Sequence, residues 1–153
     1  MIYSLIIDAG TSSIRGIIFD TDHQIVHIAS QRYFMDVSED GTALQKAESY
    51  QVCLEKMMQE CAEWAAGRKG KIHRIALTAG RSSVLPVDEN GNPLGPIMMW
   101  YDKRPQDICD RLNADYGDEI YRVTGMYARP MFSAPKMRWL KENCPAVYEQ
   151  SHK

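Results

Sequence analysis

The chain of 153 residues is long enough for one domain of ordinary size. Its hydrophobic content of 44% and charged content of 25% are typical of a soluble globular protein and exclude a largely disordered chain. A net charge of −2 with both signs interspersed argues against nucleic acid as a partner, and the lack of an apolar run long enough to span a bilayer argues against a membrane.

Three segments rich in β-branched residues open the chain and predict an antiparallel meander. They are Ile2–Asp8, Ile14–Phe19 and Gln24–Arg32. Short turns at residues 9–13 and 20–23 join them, so consecutive strands can pair directly. The first segment is almost continuously apolar, as expected of a strand that is covered on both faces.

The first turn has the sequence Asp8-Ala9-Gly10-Thr11-Ser12 and allows two interpretations. A turn of small residues presents backbone N–H groups and short hydroxyls, which suit a phosphate group, and a carboxylate at a strand end suits a hydrated Mg²⁺ ion. Asp, Gly, Thr and Ser are also common in ordinary hairpin turns. These residues alone leave both interpretations open.

A long amphipathic helix and a fourth strand follow a polar, irregular segment over residues 33–46, in which Glu39-Asp40-Gly41 predicts a turn. The helix is predicted over Ala47–Ala66, with Gly67 as its C-cap. Its apolar stripe consists of Tyr50, Leu54, Met57, Met58, Cys61, Trp64 and Ala65. Ile72–Thr78 predicts a strand, and the intervening helix favours a parallel crossover beside the first strand.

The second half of the chain predicts a hairpin and then helices. The hairpin pairs Val84–Val87 with Pro96–Trp100 and has Asn90-Gly91 in its turn. Beyond Pro105 the pattern is helical, and the positions predicted to face inward are Ile108, Cys109 and Leu112. Ile120, Tyr121 and Val123 are then predicted to occupy a short helix ended by Gly125. The last helix is predicted from Ala134-Pro135 to the residue before Pro145, with Met137, Trp139 and Leu140 as its apolar contacts. With no linker or repeat, the sequence predicts one α/β unit.

The cysteines and histidines show no ligand pattern. The four cysteines, which are Cys53, Cys61, Cys109 and Cys144, contain no C-x-x-C pair, so we expect reduced thiols in a cytoplasmic protein. The four histidines are scattered without the spacing of metal ligands. The chain does not open on a basic segment followed by an apolar one, as a secretion signal would.

Four segments, in order along the chain, resemble the N-terminal part of the FGGY carbohydrate kinases. The first is Asp8–Ser12 with the following residues 14–20, which resembles the family's first phosphate hairpin. The others are Ile75–Ser83 at the sugar-contacting strand end, Trp100–Arg104 as the family's W-x-D-x-R, and Met131–Asn143, which fits the family's first signature at every constrained position. Because four ordered matches span nearly the whole chain, we identify it as a member of this family.

The resemblance implies the fold of the actin/hexokinase-like ATPase superfamily. This ribonuclease H-like fold is α/β, with a mixed sheet (an antiparallel three-strand meander plus a parallel strand) and flanking helices. Family members are much longer and fold as two lobes around a cleft. Residues 1–153 are therefore expected to form a partial N-terminal kinase domain, an incomplete first lobe without the second.

The resemblance also implies a nucleotide site that uses ATP and Mg²⁺. Gly10 lets the backbone approach a phosphate, and Thr11 and Ser12 can donate their hydroxyls to it. By resemblance, Asp8 holds Mg²⁺ through water. Arg15 is a further candidate for facing the phosphates, although an exposed strand arginine is an equally good interpretation of it.

A small sugar or polyol is the implied substrate. The candidate residues for binding it are Arg81, Ser82, Trp100, Asp102 and Arg104. Polyol recognition needs polar groups for the hydroxyls and an apolar face for the C–H groups, which Trp100 would supply. Core packing of Trp100 and an Asp102–Arg104 ion pair behind the pocket remain open. Lys136 and Trp139 belong to the signature but are expected to be packing and surface residues.

Two departures from the family leave the substrate undefined. Many members carry Gly-Gln-Met-His-Gly at the sugar-contacting strand end, and glycerol kinases carry Asn-Gln-Arg-Glu-Thr, whereas this chain has Ala79-Gly80-Arg81-Ser82-Ser83. The family's E-Q-D-P stretch corresponds to Leu44-Gln45-Lys46-Ala47, in which only Gln45 is retained. We therefore expect a sugar or polyol and do not specify which one.

The family's general base, second phosphate hairpin and adenosine-binding glycines lie further along the chain and have no counterpart here. We therefore expect the N-terminal fragment of a kinase that transfers the γ-phosphoryl of ATP to a carbohydrate hydroxyl, with no turnover of its own. A non-catalytic sugar-binding or regulatory module is the alternative. A third possibility is an actin-like or chaperone ATPase. The W-x-D-x-R motif and the family signature argue against it. An unpaired edge on the fourth strand would favour a homodimer.

Overall fold

The structure is a computed structural model that describes residues 1–152. The chain divides into unit 1, made of Met1–Phe34 and Glu48–Gly80, and unit 2, made of Met35–Ala47 and the residues from Arg81 onward. The strands are β1 (Ile2–Ala9), β2 (Ser13–Phe19), β3 (Ile25–Arg32), β4 (Asp36–Val37), β5 (Ala43–Gln45), β6 (Lys71–Ala79) and β7 (Ile97–Met98). The helices are α1 (Ala47–Gly67), α2 (Gln106–Thr124), α3 (Ser133–Asn143) and α4 (Pro145–Gln150).

A four-stranded sheet in the order β3-β2-β1-β6 forms the framework of unit 1. β1 pairs antiparallel with β2, β2 pairs antiparallel with β3, and β6 pairs parallel with β1. The predicted meander with a parallel fourth strand is thereby confirmed, and with it the α/β fold class. In the register, Leu5 lies between Ile18 and Ile75, so these three side chains share one face of the sheet.

Helix α1 covers the apolar face of this sheet. Its residues Met57, Cys61 and Ala65, spaced four apart, are buried together with Leu5. The helix lies close to the strand at Gly16, where an added Cβ would lie 2.3 Å from Sδ of Met57 and 2.7 Å from Sγ of Cys61. Glycine at this strand position is therefore required by packing.

Two details of α1 differ from the prediction. Gly67 ends the helix but is not its left-handed cap; Lys69 takes that conformation with φ of 54°, because the chain makes one more turn before β6. Leu54 is 37% exposed. Leu54 does not pack against the core of unit 1, whereas the preceding residue of the helix, Cys53, does.

Very short strands make up the sheet of unit 2, in the antiparallel order β4-β5-β7. Two of them lie in the segment that the sequence predicted to be irregular, and that prediction was wrong. Leu44 pairs with both Asp36 and Met98. Strands of two and three residues are too short to show an alternating pattern. The turn predicted between them is present, with Gly41 at φ of 86°.

The predicted hairpin around Asn90-Gly91 is present, but with fewer paired residues than predicted. Val84 and Met98 exchange two backbone hydrogen bonds, of 2.9 and 2.8 Å, and Val87 bridges to Pro93. Gly91 has φ of 81°, as a tight turn requires. Only Ile97–Met98 forms a strand here, because that segment also pairs with β5.

Helix α2 is continuous, where the sequence predicted two shorter helices. It buries Ile108 and Cys109 as predicted, and Gly125 caps it in the left-handed conformation. Tyr121 and Val123, predicted for the second of those helices, are 51% and 69% exposed. Tyr121 stacks on the ring of Tyr127, with centroids 5.1 Å apart.

The end of the described chain holds one helix more than predicted. Helix α3 buries Leu140, but Met137, predicted as a contact, is 51% exposed. Pro145 was predicted only to end α3. It also opens α4, because proline is tolerated in a first helical turn, where its missing N–H has no partner to lose.

All four cysteines are free thiols, as predicted. Burial raises the pKa of the Cys61 thiol, and it raises that of Cys109 to about 11. Among residues 1–152, none of the helices is both long and apolar enough to cross a membrane.

Candidate functional site

The turn between β1 and β2 in unit 1 holds the residues predicted to bind phosphate. Asp8 lies near the end of β1 and is half-buried, and Ser12 is exposed. The N–H of Gly10 donates to the carbonyl of Ser13 at 3.0 Å and closes the turn. None of the ion pairs within residues 1–152 involves Asp8, so its carboxylate is not neutralised by a protein cation.

Two tyrosines hold this turn by its carbonyl oxygens. The hydroxyls of Tyr33 and Tyr50 both donate to the carbonyl of Gly10, the second at 3.2 Å. The N–H of Tyr33 donates to the carbonyl of Ser12 at 3.2 Å. Burial, and next the Tyr50 hydrogen bond, raise the pKa of Tyr33, so this hydroxyl keeps its proton at neutral pH and remains a donor.

Protein donors engage the carbonyl oxygens of this turn. Because protein donors engage the carbonyl oxygens of Gly10 and Ser12, the turn presents few acceptors that would repel a phosphate. Arg15 lies directly opposite Asp8 in the β1–β2 register, and its side chain is exposed. The structure thus brings the predicted nucleotide residues together at one end of two adjacent strands.

Asp102 in unit 2 is completely buried, and both oxygens of its carboxylate accept hydrogen bonds from protein donors. Oδ1 accepts from Nε and from the backbone N–H of Arg104, both at 3.0 Å. Oδ2 accepts from Nη2 of Arg104 at 2.7 Å and from the N–H of Ala43 at 3.2 Å. This arrangement supports the interpretation of Asp102 and Arg104 as an ion pair, with Asp102 orienting the guanidinium.

The guanidinium of Arg104 lies between Asp102 and an indole ring. Its Cζ stands 4.2 Å from the centroid of the Trp139 ring, so the two signature motifs are in contact within unit 2. The side chain of Arg104 is 20% exposed. Its hydrogen bonds to Asp102 use Nε and Nη2, which leaves Nη1 available to a ligand.

Lys136 was expected to be a packing or surface residue, and its complete burial fits the first of these alternatives. Its Nζ donates to three successive carbonyls: Pro130 at 2.6 Å, Met131 at 2.9 Å and Phe132 at 3.4 Å. Burial lowers the pKa of Lys136 to about 8, and the nearby charge of Asp102 partly offsets this. Spacing could have indicated the burial, because Lys136 is four residues before the buried Leu140 on one helix face.

The remaining candidate substrate residues also lie in unit 2. Trp100 is 39% exposed and meets Tyr101 edge to face, with centroids 5.1 Å apart. Arg81 is exposed. Ser82 adopts a left-handed backbone with φ of 66°, a conformation that costs a non-glycine residue roughly 1 kcal/mol or more.

Gln45, the retained residue of the family's acidic stretch, is 1% exposed. Neither Nε2 nor Oε1 of its amide has a hydrogen-bond partner in the part of the chain that the structure describes. An unpaired buried amide destabilises a fold by about 1–3 kcal/mol. The sequence singled out this residue, but only by resemblance.

A largely apolar cavity of about 420 Å³ in unit 2 is lined by residues including Val84, Pro86, Met137 and Leu140, and by none of the predicted substrate residues. Across residues 1–152, no three His, Cys, Asp or Glu side chains are grouped to hold a metal ion.

Comparison with known proteins matches residues 3–153 to the N-terminal domain model of the FGGY family of carbohydrate kinases. A xylulose kinase of Lactococcus lactis is 29% identical over 153 residues, covering 100% of this chain and 30% of the relative. A glycerol kinase of Mycoplasma pneumoniae is 35% identical over 147 residues, covering 94% of this chain and 29% of the relative. The crystal structure of Plasmodium falciparum glycerol kinase with ADP superposes with a TM-score of 0.90 at 27% identity, covering 97% of this chain and 31% of that one. The chain thus spans about 30% of the length of the curated relatives it matches.

Proposed function

The chain belongs to the FGGY family of carbohydrate kinases, and on that premise we propose that it is the N-terminal part of an ATP-dependent carbohydrate kinase. The proposed reaction transfers the γ-phosphoryl of ATP to a hydroxyl of a sugar or polyol. One observation carries the proposal. The turn after β1 is held by Tyr33 and Tyr50 through the Gly10 carbonyl, and Asp8 beside it makes no ion pair within residues 1–152.

We propose that the turn holds the phosphates of Mg²⁺-ATP. Phosphoryl transfer depends mainly on positioning and charge stabilisation. Thr11 and Ser12 would donate hydroxyl hydrogen bonds to the phosphates, and Arg15 would supply a positive charge. Asp8 would hold Mg²⁺, which neutralises phosphate charge when bound. One carboxylate fits this role, because Mg²⁺ is commonly held by one or two carboxylates together with phosphate oxygens and waters.

We propose that the substrate site lies in unit 2. The partly exposed ring of Trp100 supports stacking against the C–H face of a sugar, and the Nη1 group of Arg104 supports binding of a hydroxyl. Arg81 and Ser82 remain proposed polar contacts. Asp102 would act by holding Arg104, because both of its oxygens already accept hydrogen bonds from the protein.

We propose no general base and no adenosine site among the residues of this chain. We therefore expect the pure 153-residue chain to show no kinase turnover. ADP release would be measured with ATP and a panel of pentoses, hexoses and polyols. Release that depends on both ATP and a sugar would contradict this expectation.

The free thiols are consistent with the cytoplasmic location that we also propose.

Nucleotide binding provides the direct test of the phosphate turn. In a titration with Mg²⁺-ADP followed by NMR, we expect the amide signals of residues 9–15 to shift. Asp8→Asn should weaken binding about tenfold in the presence of Mg²⁺, because the metal loses its charged ligand. Asp22→Asn, on an exposed turn of the same unit, is the matched control. Shifts confined to other residues, or equal binding by both variants, would contradict the proposal.

A non-catalytic sugar-binding module is the second candidate function. One observation favours it: Asp102, Arg104 and Trp139 form a complete cluster from residues of unit 2 alone. Calorimetric titration of the chain with the same sugar panel separates the two. Sub-millimolar affinity would favour the module, and no detectable heat would favour the kinase fragment.

A further inference from the structure

The tyrosine pair behind the turn between β1 and β2 comes from two separate elements of unit 1. Tyr33 directly follows β3, and Tyr50 lies in the first turn of α1. Their rings pack against each other with centroids 4.4 Å apart. Tyr33 belongs to the core cluster of the unit and is only 5% exposed, and Tyr50 packs against that cluster. Core packing therefore fixes the position of both hydroxyls.

Both hydroxyls of the tyrosine pair donate to one acceptor, the carbonyl oxygen of Gly10. A carbonyl oxygen has two lone pairs, so it can accept from both donors at once. The peptide that joins Gly10 to Thr11 is trans, and in a trans peptide the C=O and the N–H point in opposite directions. Because the Gly10 carbonyl points inward to the tyrosine pair, the N–H of Thr11 points away from it.

The flanking strands do not by themselves set the orientation of this peptide. The N–H of Gly10 donates to the carbonyl of Ser13, but that N–H belongs to the preceding peptide. Glycine also tolerates a wide range of backbone angles, so the Gly10–Thr11 peptide can rotate while β1 and β2 stay paired. Since the tyrosine pair occupies the inner side of the turn, a phosphate can reach it only from the outer side. Rotation would bring the partial negative charge of the Gly10 oxygen to that side, where it would repel a phosphate.

We propose that Tyr33 and Tyr50 are positioning residues that hold the Gly10–Thr11 peptide in its phosphate-binding orientation. This inference rests on the proposed function of the turn as a phosphate site. The hydroxyls act through the Gly10 carbonyl and do not touch the nucleotide. An apparent dissociation constant rises in inverse proportion to the fraction of the protein in the binding orientation. Because the two donors share one acceptor, either hydroxyl alone holds most of the chain in that orientation, and losing both has a disproportionate effect.

NMR of the free 153-residue chain tests the contact itself. Hydrogen bonding shifts the resonance of a carbonyl carbon, so the Gly10 carbonyl signal reports directly on the two hydroxyls. Tyr33→Phe and Tyr50→Phe keep the rings, and we expect each to move this signal, with a larger movement in the double variant. Tyr3→Phe is the matched control in the same unit, since its hydroxyl donates to the sulfur of Met1 at 3.3 Å. A signal that stayed in place in these variants, or moved equally in the control, would overturn the proposal.

Titration of the same proteins with Mg²⁺-ADP tests the consequence for binding. We expect each single variant to weaken binding by at most about threefold and the double variant by at least about tenfold. Equal affinity of the double variant and Tyr3→Phe would overturn the positioning role and leave the proposed function intact. No binding by the wild type would contradict the proposed function, and the positioning role with it. Circular dichroism verifies folding, and the Gly10 signals of the single variants decide the question if the double variant does not fold.

Discussion

Unit 1 buries a continuous apolar face between its sheet and α1, whereas unit 2 is organised around buried polar groups. Leu5, Ile18 and Met57 have no exposed surface in unit 1. In unit 2, Asp102 and Lys136 are equally inaccessible. Apolar packing depends on many interchangeable contacts, but a buried charge depends on one or two partners. The difference predicts where single substitutions will be most damaging.

The largest loss is expected from Asp102→Asn. This change removes the charge that holds Arg104 and weakens the acceptor for the Ala43 N–H. Breaking a buried pair from one side costs about 3–5 kcal/mol. Urea denaturation measures the free energy of unfolding, and Asp118→Asn on the exposed side of α2 is the control. If Asp102→Asn lost no more stability than the control, buried charge would not organise unit 2.

Lys136→Met ranks second, with an expected loss of about 2–3 kcal/mol at pH 7. Methionine fills a similar volume but leaves the carbonyls of Pro130 and Met131 without their donor. Lys141→Met, an exposed position on the same helix, should change stability by less than about 0.5 kcal/mol. Equal losses in the two variants would contradict the role assigned to the buried ammonium.

The pH dependence sharpens this second prediction. The pKa of Lys136 is about 8 in the folded chain and 10.5 ordinarily, so between these values the unfolded chain binds more protons. Stability of the wild type therefore rises with pH in that window relative to Lys136→Met. Cys109, whose raised pKa of about 11 gives the opposite slope, is present in both proteins and largely cancels in the difference. If the difference in the free energy of unfolding between the wild type and Lys136→Met stayed constant from pH 7 to 10.5, the lowered pKa of Lys136 would be contradicted.

In unit 1 the most damaging small change is expected at Gly16. A methyl group there would meet the sulfur atoms of Met57 and Cys61. The overpacking should cost about 2 kcal/mol, because both side chains must shift within a filled core. Gly67→Ala is the matched control, since an added Cβ there meets nothing within 4 Å. Thermal unfolding should show a lower midpoint for the Gly16→Ala variant alone.

The smallest effect, and the only gain, is expected from Gln45→Met. It removes a buried amide that has no partner within residues 1–152 and keeps an apolar side chain of similar length. Stability should rise by about 1 kcal/mol. Gln150→Met, at an exposed position, should be neutral. A loss of stability would show that the Gln45 amide is satisfied in solution, and unit 2 would then contain a complete polar network.

The same contrast explains how much of the fold could be predicted. The period-2 and period-3.6 patterns of unit 1 predicted β1, β2, β3, β6 and α1, because an apolar face leaves a regular trace in the sequence. β4 and β5 left no such trace, since each has only two or three residues. The cap at Lys69 was missed because a left-handed lysine carries no compositional signal.

The candidate sites divide in the same way. Family motifs pointed to Asp8 and Gly10, and the structure places them on one turn, but the contribution of Tyr33 depends on a contact across 23 positions that no local pattern encodes. Asp102 and Arg104 were correctly seen as a potential pair. For Lys136 the sequence left a packing role and a surface role open, because lysine is rarely buried without partners and its partners here are backbone carbonyls, which are not visible in a sequence.

The division of the chain between the units bears on the order in which they can form during synthesis. All residues of unit 1 have been made once Gly80 emerges, so its sheet can close early. The segment Met35–Ala47 of unit 2 is made well before its strand partner β7. β5 can therefore pair with β4 at once, but its second edge must wait for about fifty further residues of translation. We expect the ribosome-bound chain to pass through a stage in which the turn between β1 and β2 is formed while the Asp102–Arg104 ion pair has not yet assembled.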